Sequence, residues 1–200
     1  MNKLKQKKNF VKREFRFTDS KLFYNVSKFG NENEIDIPFE NINGEKVSYK
    51  SANSTTLVIS ISIFLIAALV EISYLKSENG ANSTPLFFAG IAAIFLILYI
   101  LNRNDFWKIR LVDDSYLYIH KSIPSPLVAD QFIEGLMEAR NEYLRENYAT
   151  VDENLPYESQ LNNLKWLKSL SAISKDEFEV KYIELKRVVN PDKPKIGFGK

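Results

Sequence analysis

The sequence predicts an α+β membrane fold: a small antiparallel sheet or barrel, split by a two-helix transmembrane hairpin, capped by an amphipathic helix and followed by a helical pair. Three observations carry this. Two long apolar runs stand close together in mid-chain, strands with period-two alternation flank them, and every later segment repeats its apolar residues every three or four positions. The mean hydropathy of −0.23 conceals this segregation, because nearly all the long apolar sequence falls between residues 56 and 101.

The first run, residues 56–75, reads TLVISISIFLIAALVEISYL with Glu71 as its one charge, and the second, 85–101, reads PLFFAGIAAIFLILYIL with none. At about 1.5 Å per helical residue, such runs match a hydrocarbon core roughly 30 Å thick. Pro85 suits a first helical turn, where a missing N–H costs nothing. Residues 76–84 form a polar turn around Asn79-Gly80. Apart from Lys76 in the turn, the nearby cations lie outside the hairpin, before it and at Arg103, Lys108 and Arg110. The positive-inside rule therefore puts both termini in the cytoplasm and the turn outside. Tyr74, Tyr99, Phe106 and Trp107 fall at or near the span ends, as interfacial anchors do. Lys, Asn and Ile are abundant, as in an AT-rich bacterial genome, so the expected location is a bacterial cytoplasmic membrane. Asn53-Ser-Thr55 and Asn82-Ser-Thr84 match the glycosylation sequon by chance on this reading. The basic start lacks the apolar core of a secretory signal.

Within the second run Ala89, Gly90 and Ala93 form a small-residue face that lets another helix approach. Its expected partner is the first span, through Ser60, Ser62, Ala67 or Ala68; a contact between protomers is the sharper alternative. Glu71 lies about a turn from the outer end and is expected to snorkel.

Before the hairpin, residues 13–18, 21–28, 34–39 and 46–50 read as successive antiparallel strands, separated by turn residues at 18–20 and 30–33. Asn43-Gly44 is a further turn signal. After the hairpin, strands are expected at 106–112 and 116–121, with Leu117 and Ile119 on one face and Tyr116, Tyr118 and a partly exposed His120 on the other. Ser125 is an N-cap, Pro126 the first helical residue, and Val128, Phe132, Leu136, Ala139 and Tyr143 make an apolar stripe. Residues 1–12 read as a basic arm. Lys3, Lys5, Lys7, Lys8, Lys12, Arg13 and Arg16 stand against Glu14 alone, seven cations to one carboxylate, a local net charge of +6 in a chain of net +2. Each Lys or Arg beside anionic lipid contributes about 1 kcal/mol. Lys3, Lys5, Lys7, Lys8, Lys12 and Arg13 are the candidate headgroup contacts.

Beyond a polar linker, Leu161, Leu164, Leu167 and Leu170 recur at three-residue spacing beside Trp166. Ser174 and Glu177 then form a capping box for a helix with Phe178, Tyr182 and Leu185 on its apolar side. Leu161, Leu164, Leu167, Phe178 and Tyr182 are the candidate partner-binding residues. Residues 188–200 read as a flexible tail.

Leu22-Phe-Tyr24, the segment Ile37-Pro-Phe-Glu-Asn-Ile42, Tyr116-Leu-Tyr-Ile119, Pro124-Ser-Pro126, Phe132-Ile133 and Arg140-Asn-Glu-Tyr-Leu144 occur in an order that resembles bacterial PH-like domains interrupted by transmembrane helices. The resemblance covers about residues 10–148, as parts 13–50 and 106–148, and implies a bent antiparallel barrel closed by its last helix. It implies no catalytic residue. Residues 158–187 resemble the short C-terminal module called SHOCT, on Leu161, Leu164, Leu167, Ile173, Asp176-Glu-Phe178 and Leu185. The usual turn glycine is replaced by Ser171-Ala172, and the resemblance implies an interaction or oligomerisation element.

With no cysteine, one histidine and no glycine-rich phosphate loop, the sequence offers no thiolate, multi-histidine metal or nucleotide chemistry. No cofactor, metal site, nucleic acid or small-molecule substrate is expected. The expected function is a non-catalytic membrane-anchored adaptor that meets lipid and a protein partner or its own copies. A membrane-perturbing effector whose hairpins cluster is the alternative.

Overall fold

The computed structural model describes residues 2–75 and 84–189. The turn expected at 76–84 falls outside the described residues except for Thr84, as does the tail from 190 onward. The chain divides into two compact units, residues 49–106 and the remainder.

The larger unit holds two sheets. β1 (Lys3–Lys8), β2 (Val11–Phe17), β3 (Lys21–Lys28) and β4 (Asn31–Pro38) pair in chain order, each antiparallel to the next. After a 3-10 turn at Phe39–Asn41, β5 (Ile42–Ser51) begins a second antiparallel sheet, ordered β5-β6-β7, with β6 at Asn104–Leu111 and β7 at Tyr116–His120. Alternation is the cause: Phe15 and Phe17 point inward while Lys12 and Arg16 face water. Residues 3–8, part of the expected basic arm, are instead the edge strand of the first sheet. Lys3, Lys5 and Lys7 are exposed, and Leu4 and Gln6 are buried between them.

The hairpin unit comprises α1 (Ser54–Leu75) and α2 (Thr84–Leu101), which pack against each other. Thr56, Ser60, Ile63, Ala67 and Val70 are among the shielded positions of α1 and Pro85, Phe88, Ala92, Phe95 and Tyr99 among those of α2, with Leu57, Thr84, Ala89 and Ile91 half-buried beside them. Both sets step by alternating threes and fours, the seven-residue repeat of closely packed helices. Ser60 Oγ donates to the Ala92 carbonyl oxygen at 2.8 Å, so the shared face also satisfies a buried hydroxyl.

Three further helices complete the larger unit: α3 (Pro126–Tyr148), α4 (Tyr157–Ser169) and α5 (Lys175–Val188). The Ser125 side chain accepts from the Val128 N–H, with Pro126 in the first turn. Phe132, Ile133 and Leu136 from α3 enter one core with Leu4, Phe15, Leu22, Ile37, Ile42, Ile109 and Ile119 from both sheets and Phe39 from the turn between them. The end of α3 serves a second core, where Leu144 and Ala149 meet Leu164, Leu167, Leu170, Ala172, Ile173 and Leu185.

The turn between α4 and α5 closes without a glycine. The Ser171 N–H donates to the Lys168 carbonyl at 3.1 Å and the Ala172 N–H to that of Leu167 at 2.9 Å, the bonds of a Schellman cap. Ser171 takes the left-handed conformation that glycine prefers, at φ 57°. Asn43-Gly44, a turn signal in the sequence, lies inside β5, and the reversal occurs at Phe39–Asn41. Gly44 answers a different need. A Cβ there would stand 2.8 Å from the Leu170 carbonyl oxygen and 3.2 Å from Ser171 Cβ. The absent side chain lets the α4–α5 turn seat on β5.

Gly44→Ala is expected to destabilise the larger unit by about 1–3 kcal/mol, because a backbone carbonyl must move. Ser171→Gly should stabilise it by roughly 0.5–1 kcal/mol, since relief of the left-handed backbone outweighs the added freedom of the unfolded chain. Thermal unfolding of the full chain followed by circular dichroism checks both signs.

Candidate functional site

The cations read as headgroup contacts do not form one cluster. On the outward face of the first sheet the register sets Lys3 opposite Arg16, Lys5 opposite Glu14 and Lys7 opposite Lys12. Glu14 is held by Lys3 at 2.6 Å and Lys5 at 3.3 Å, and these contacts hold its carboxyl below the ordinary range. The far side of the same face is acidic, with Glu32, Glu34 and Asp36 on β4 and a Lys21–Asp36 pair at 2.6 Å. The sheet thus presents a basic half and an acidic half. Between them lies a groove of about 420 Å³ lined by Lys5, Lys7, Lys12, Arg13, Glu14, Asn25 and Glu32, among others.

Arg13 is also turned toward His120. Its Nη1 lies 3.1 Å from His120 Nε2, and a guanidinium can only donate, so Nε2 accepts and the ring is neutral. His120 is buried at 3 % exposure rather than partly exposed on the outer face of β7. The strand alternation fails at this end because Gln6 covers it. The His120 N–H donates to Gln6 Oε1 at 2.8 Å, and Gln6 Nε2 donates to the His120 carbonyl at 2.8 Å and to that of Ile123. One side-chain amide thus joins β1 to β7, the edges of the two sheets. Burial first, then the charges of Arg13 and Lys8, push the His120 imidazole down to about 4.

The segment from Ile37 to Ile42 clamps α3 instead of lining a site. Phe39 and Ile42 are buried, and Glu40 accepts from Tyr143 Oη at 2.9 Å and Tyr148 Oη at 3.0 Å. Arg140 is fully buried and donates to the Ile42 carbonyl at 2.7 Å and to Asn141 Oδ1 at 2.6 Å. Burial lowers its guanidinium to about 10, so it stays charged at neutral pH. Sequence reading missed Gln6 and Arg140, although each left a trace. Gln6 occupies an inward position of an alternating strand, and Arg140 stands four residues from both Leu136 and Leu144 on an apolar face.

In the hairpin, the shielded small residues are Ser60, Ala67 and Ala92; Ser62 and Ala68 are exposed. Of the expected packing set, Ala89 is half-buried and Gly90 and Ala93 are exposed, with nothing within 4 Å of a Cβ built at Gly90. Glu71 is exposed. Trp107 packs against the core of the larger unit, with Lys46 Nζ and Lys121 Nζ each 4.2 Å from its ring centroid.

Leu164 and Leu167, read as partner-facing, are 1 % and 0 % exposed and spent on the second core. Leu161 and Phe178 are half-buried against that core, and Tyr182 stacks on Phe178 with ring centroids 6.0 Å apart. Val180, Ile183 and Val188 are the exposed large apolar residues of α5. Among the described residues no group of three or more His, Asp or Glu side chains is arranged to hold a metal ion. Comparison with family models, with curated proteins and with solved structures found no match to the chain.

A histidine whose folded value lies below its unfolded 6.5 contributes stability at neutral pH that is lost as the pH falls from 6.5 toward 4. The loss is on the order of 3 kcal/mol over that window. His120→Gln keeps an acceptor for Arg13 but cannot titrate. Melting temperatures at pH 7 and pH 4.5 should therefore fall less for the variant than for the wild type, the carboxylate contribution being common to both.

Proposed function

We propose that the chain is a non-catalytic membrane-anchored adaptor. Its α1–α2 hairpin spans a bacterial cytoplasmic membrane, and its two-sheet domain, PH-like in plan, is held at the cytoplasmic surface to bind lipid or protein. The observation that carries this reading is the state of the helices. Only 11 % of each apolar window is buried within the protein. Two water-soluble core helices would be mostly covered, whereas here Ile59, Ile61, Phe64, Leu65, Leu69, Phe87, Ile94 and Ile97 all lie open. Continuous apolar surface of this extent requires lipid or protein around it.

The topology supports the same reading. The hairpin enters from β5 and returns into β6, neighbours in one sheet, so it is an insertion within a fold and not a terminal tail. Both flanks are cationic, as cytoplasmic flanks are. The α4–α5 pair, SHOCT-like in its leucine spacing and capping box, gives the domain an added surface for partners.

Because the chain has no cysteine, single substitutions report topology cleanly. In intact cells a membrane-impermeant maleimide should label Asn79→Cys, and it should reach the exposed Asn147→Cys only after lysis. Labelling of both only after lysis would refute the spanning hairpin. Crosslinking in native membranes then reads the function: a discrete partner supports the adaptor. A homo-oligomer alone favours a membrane-perturbing effector, for which the outward Gly90 and Ala93 are the supporting observation.

A further inference from the structure

Two phenylalanines occupy positions where neither turn chemistry nor core packing calls for them. β1 and β2 are joined by Asn9-Phe10, and β3 and β4 by Phe29-Gly30, each a two-residue hairpin turn. Such turns need left-handed backbone and favour Asn and Gly. Asn9 and Gly30 fit, at φ 52° and 89°, but Phe29 is held at φ 50°, where a bulky residue is a rare outlier. Phe10 is 72 % and Phe29 71 % exposed, so the core gains almost nothing from either. Val11 pairs with Lys28 across β2 and β3, which brings the two turns side by side. The rings stack at 5.3 Å between centroids, with 24° between planes. Single exposed apolar residues are ordinary, but a stacked pair projecting from adjacent turns is a built feature.

The charge around the tip is cationic. Lys8 and Lys28 each end a strand at these turns, with Lys7 and Lys12 a residue further back. Glu32 on β4 stands level with Lys7 and Lys12 and accepts from the Asn25 amide, so four lysines face one carboxylate at this end. Glu14, further along β2, is held by Lys3 and Lys5. An aromatic tip collared by lysines matches the headgroup layer of an anionic bilayer, where aromatic rings settle at the interface and cations meet acidic lipid. We infer that Phe10 and Phe29 form a membrane-inserting tip that docks the sheet domain on anionic lipid. This rests on the anchoring reading above and deepens it: the domain is not only tethered by its hairpin but holds the lipid surface at a second point.

The test uses the full chain with one nitroxide-labelled cysteine at a time, at Phe10→Cys or Phe29→Cys, each leaving the other ring in place. Ile61→Cys in α1 and the exposed Glu153→Cys serve as lipid and water references. Each is reconstituted into phosphatidylcholine vesicles with and without phosphatidylglycerol, and its accessibility to oxygen and to a water-soluble nickel chelate is measured. In the anionic vesicles both tip labels should show an oxygen-to-nickel ratio severalfold above that at 153, falling toward it in phosphatidylcholine alone. Water-like tip labels in anionic vesicles overturn the tip, and with 61 lipid-like they leave the anchor standing. A water-like 61 overturns the anchor, and the tip labels are still judged by the same ratio. Tip labels shielded from both reagents would mean burial against protein, and immersion indifferent to lipid charge would remove the lysines' role; either result overturns the inference as stated.

Discussion

The larger unit depends on a guanidinium that has left water. Arg140 is fully buried on α3, reaches the Ile42 carbonyl at the start of β5, and lies within 3.6 Å of the point where a Gly44 side chain would begin. The Leu170 carbonyl approaches that same glycine from the α4–α5 turn. One charged group therefore stands where helix, sheet and C-terminal pair converge. Burying such a cation costs several kcal/mol, and only fixed acceptors offset it. That requirement ties α3 to the start of β5, and the bare Gly44 beside it admits the α4–α5 turn to the same place. Glu40, in the 3-10 turn that leads into β5, adds a second tie to α3 by accepting from Tyr143 and Tyr148.

With α3 fixed this way, its two halves serve different cores. Phe132, Ile133 and Leu136 close the space between the sheets, while Leu144 and Ala149 receive α4 and α5. The sheets are joined at their edges by the Gln6 amide, which replaces strand pairing where β1 meets β7. The apolar helices interrupt none of these ties. They leave from β5 and return to β6, adjacent strands of one sheet, so the insertion needs no crossing connection.

Most of this layout was legible because it is written in periodicity. The strand at Lys21–Lys28, the apolar helices, the Ser125 cap and the Ser174–Glu177 capping box are local signals that need no tertiary information. What was illegible depended on partners far away in the chain. Residues 3–8 resemble a solvated arm because Leu4 is their only apolar residue; the burial of Gln6 is decided by a backbone 114 positions away. His120 looked exposed for the same reason. Asn43-Gly44 has turn composition, yet its glycine is set by the Leu170 carbonyl, a contact no local pattern encodes. In the hairpin, small residues cover more than one side of α2, and sequence alone favoured Ala89–Ala93 over the Ala92 face that packs.

The second core also constrains what the C-terminal pair can do. Leu164, Leu167 and Leu185 are buried in one core with Leu144 of α3, and the Arg145 Nε donates to the Ala172 carbonyl at 3.0 Å. Opening this core would expose leucines that each contribute about 1.5–3 kcal/mol when fully buried. A module held this firmly does not act by unfolding its leucine face toward a partner. The outer side instead carries the pair's open apolar surface, where Val180 and Ile183 are 65 % exposed on α5 and Tyr182 stacks on Phe178. The leucine repeat that stands out in sequence is thus spent on the second core, and the surface left to the pair belongs to residues the repeat does not contain.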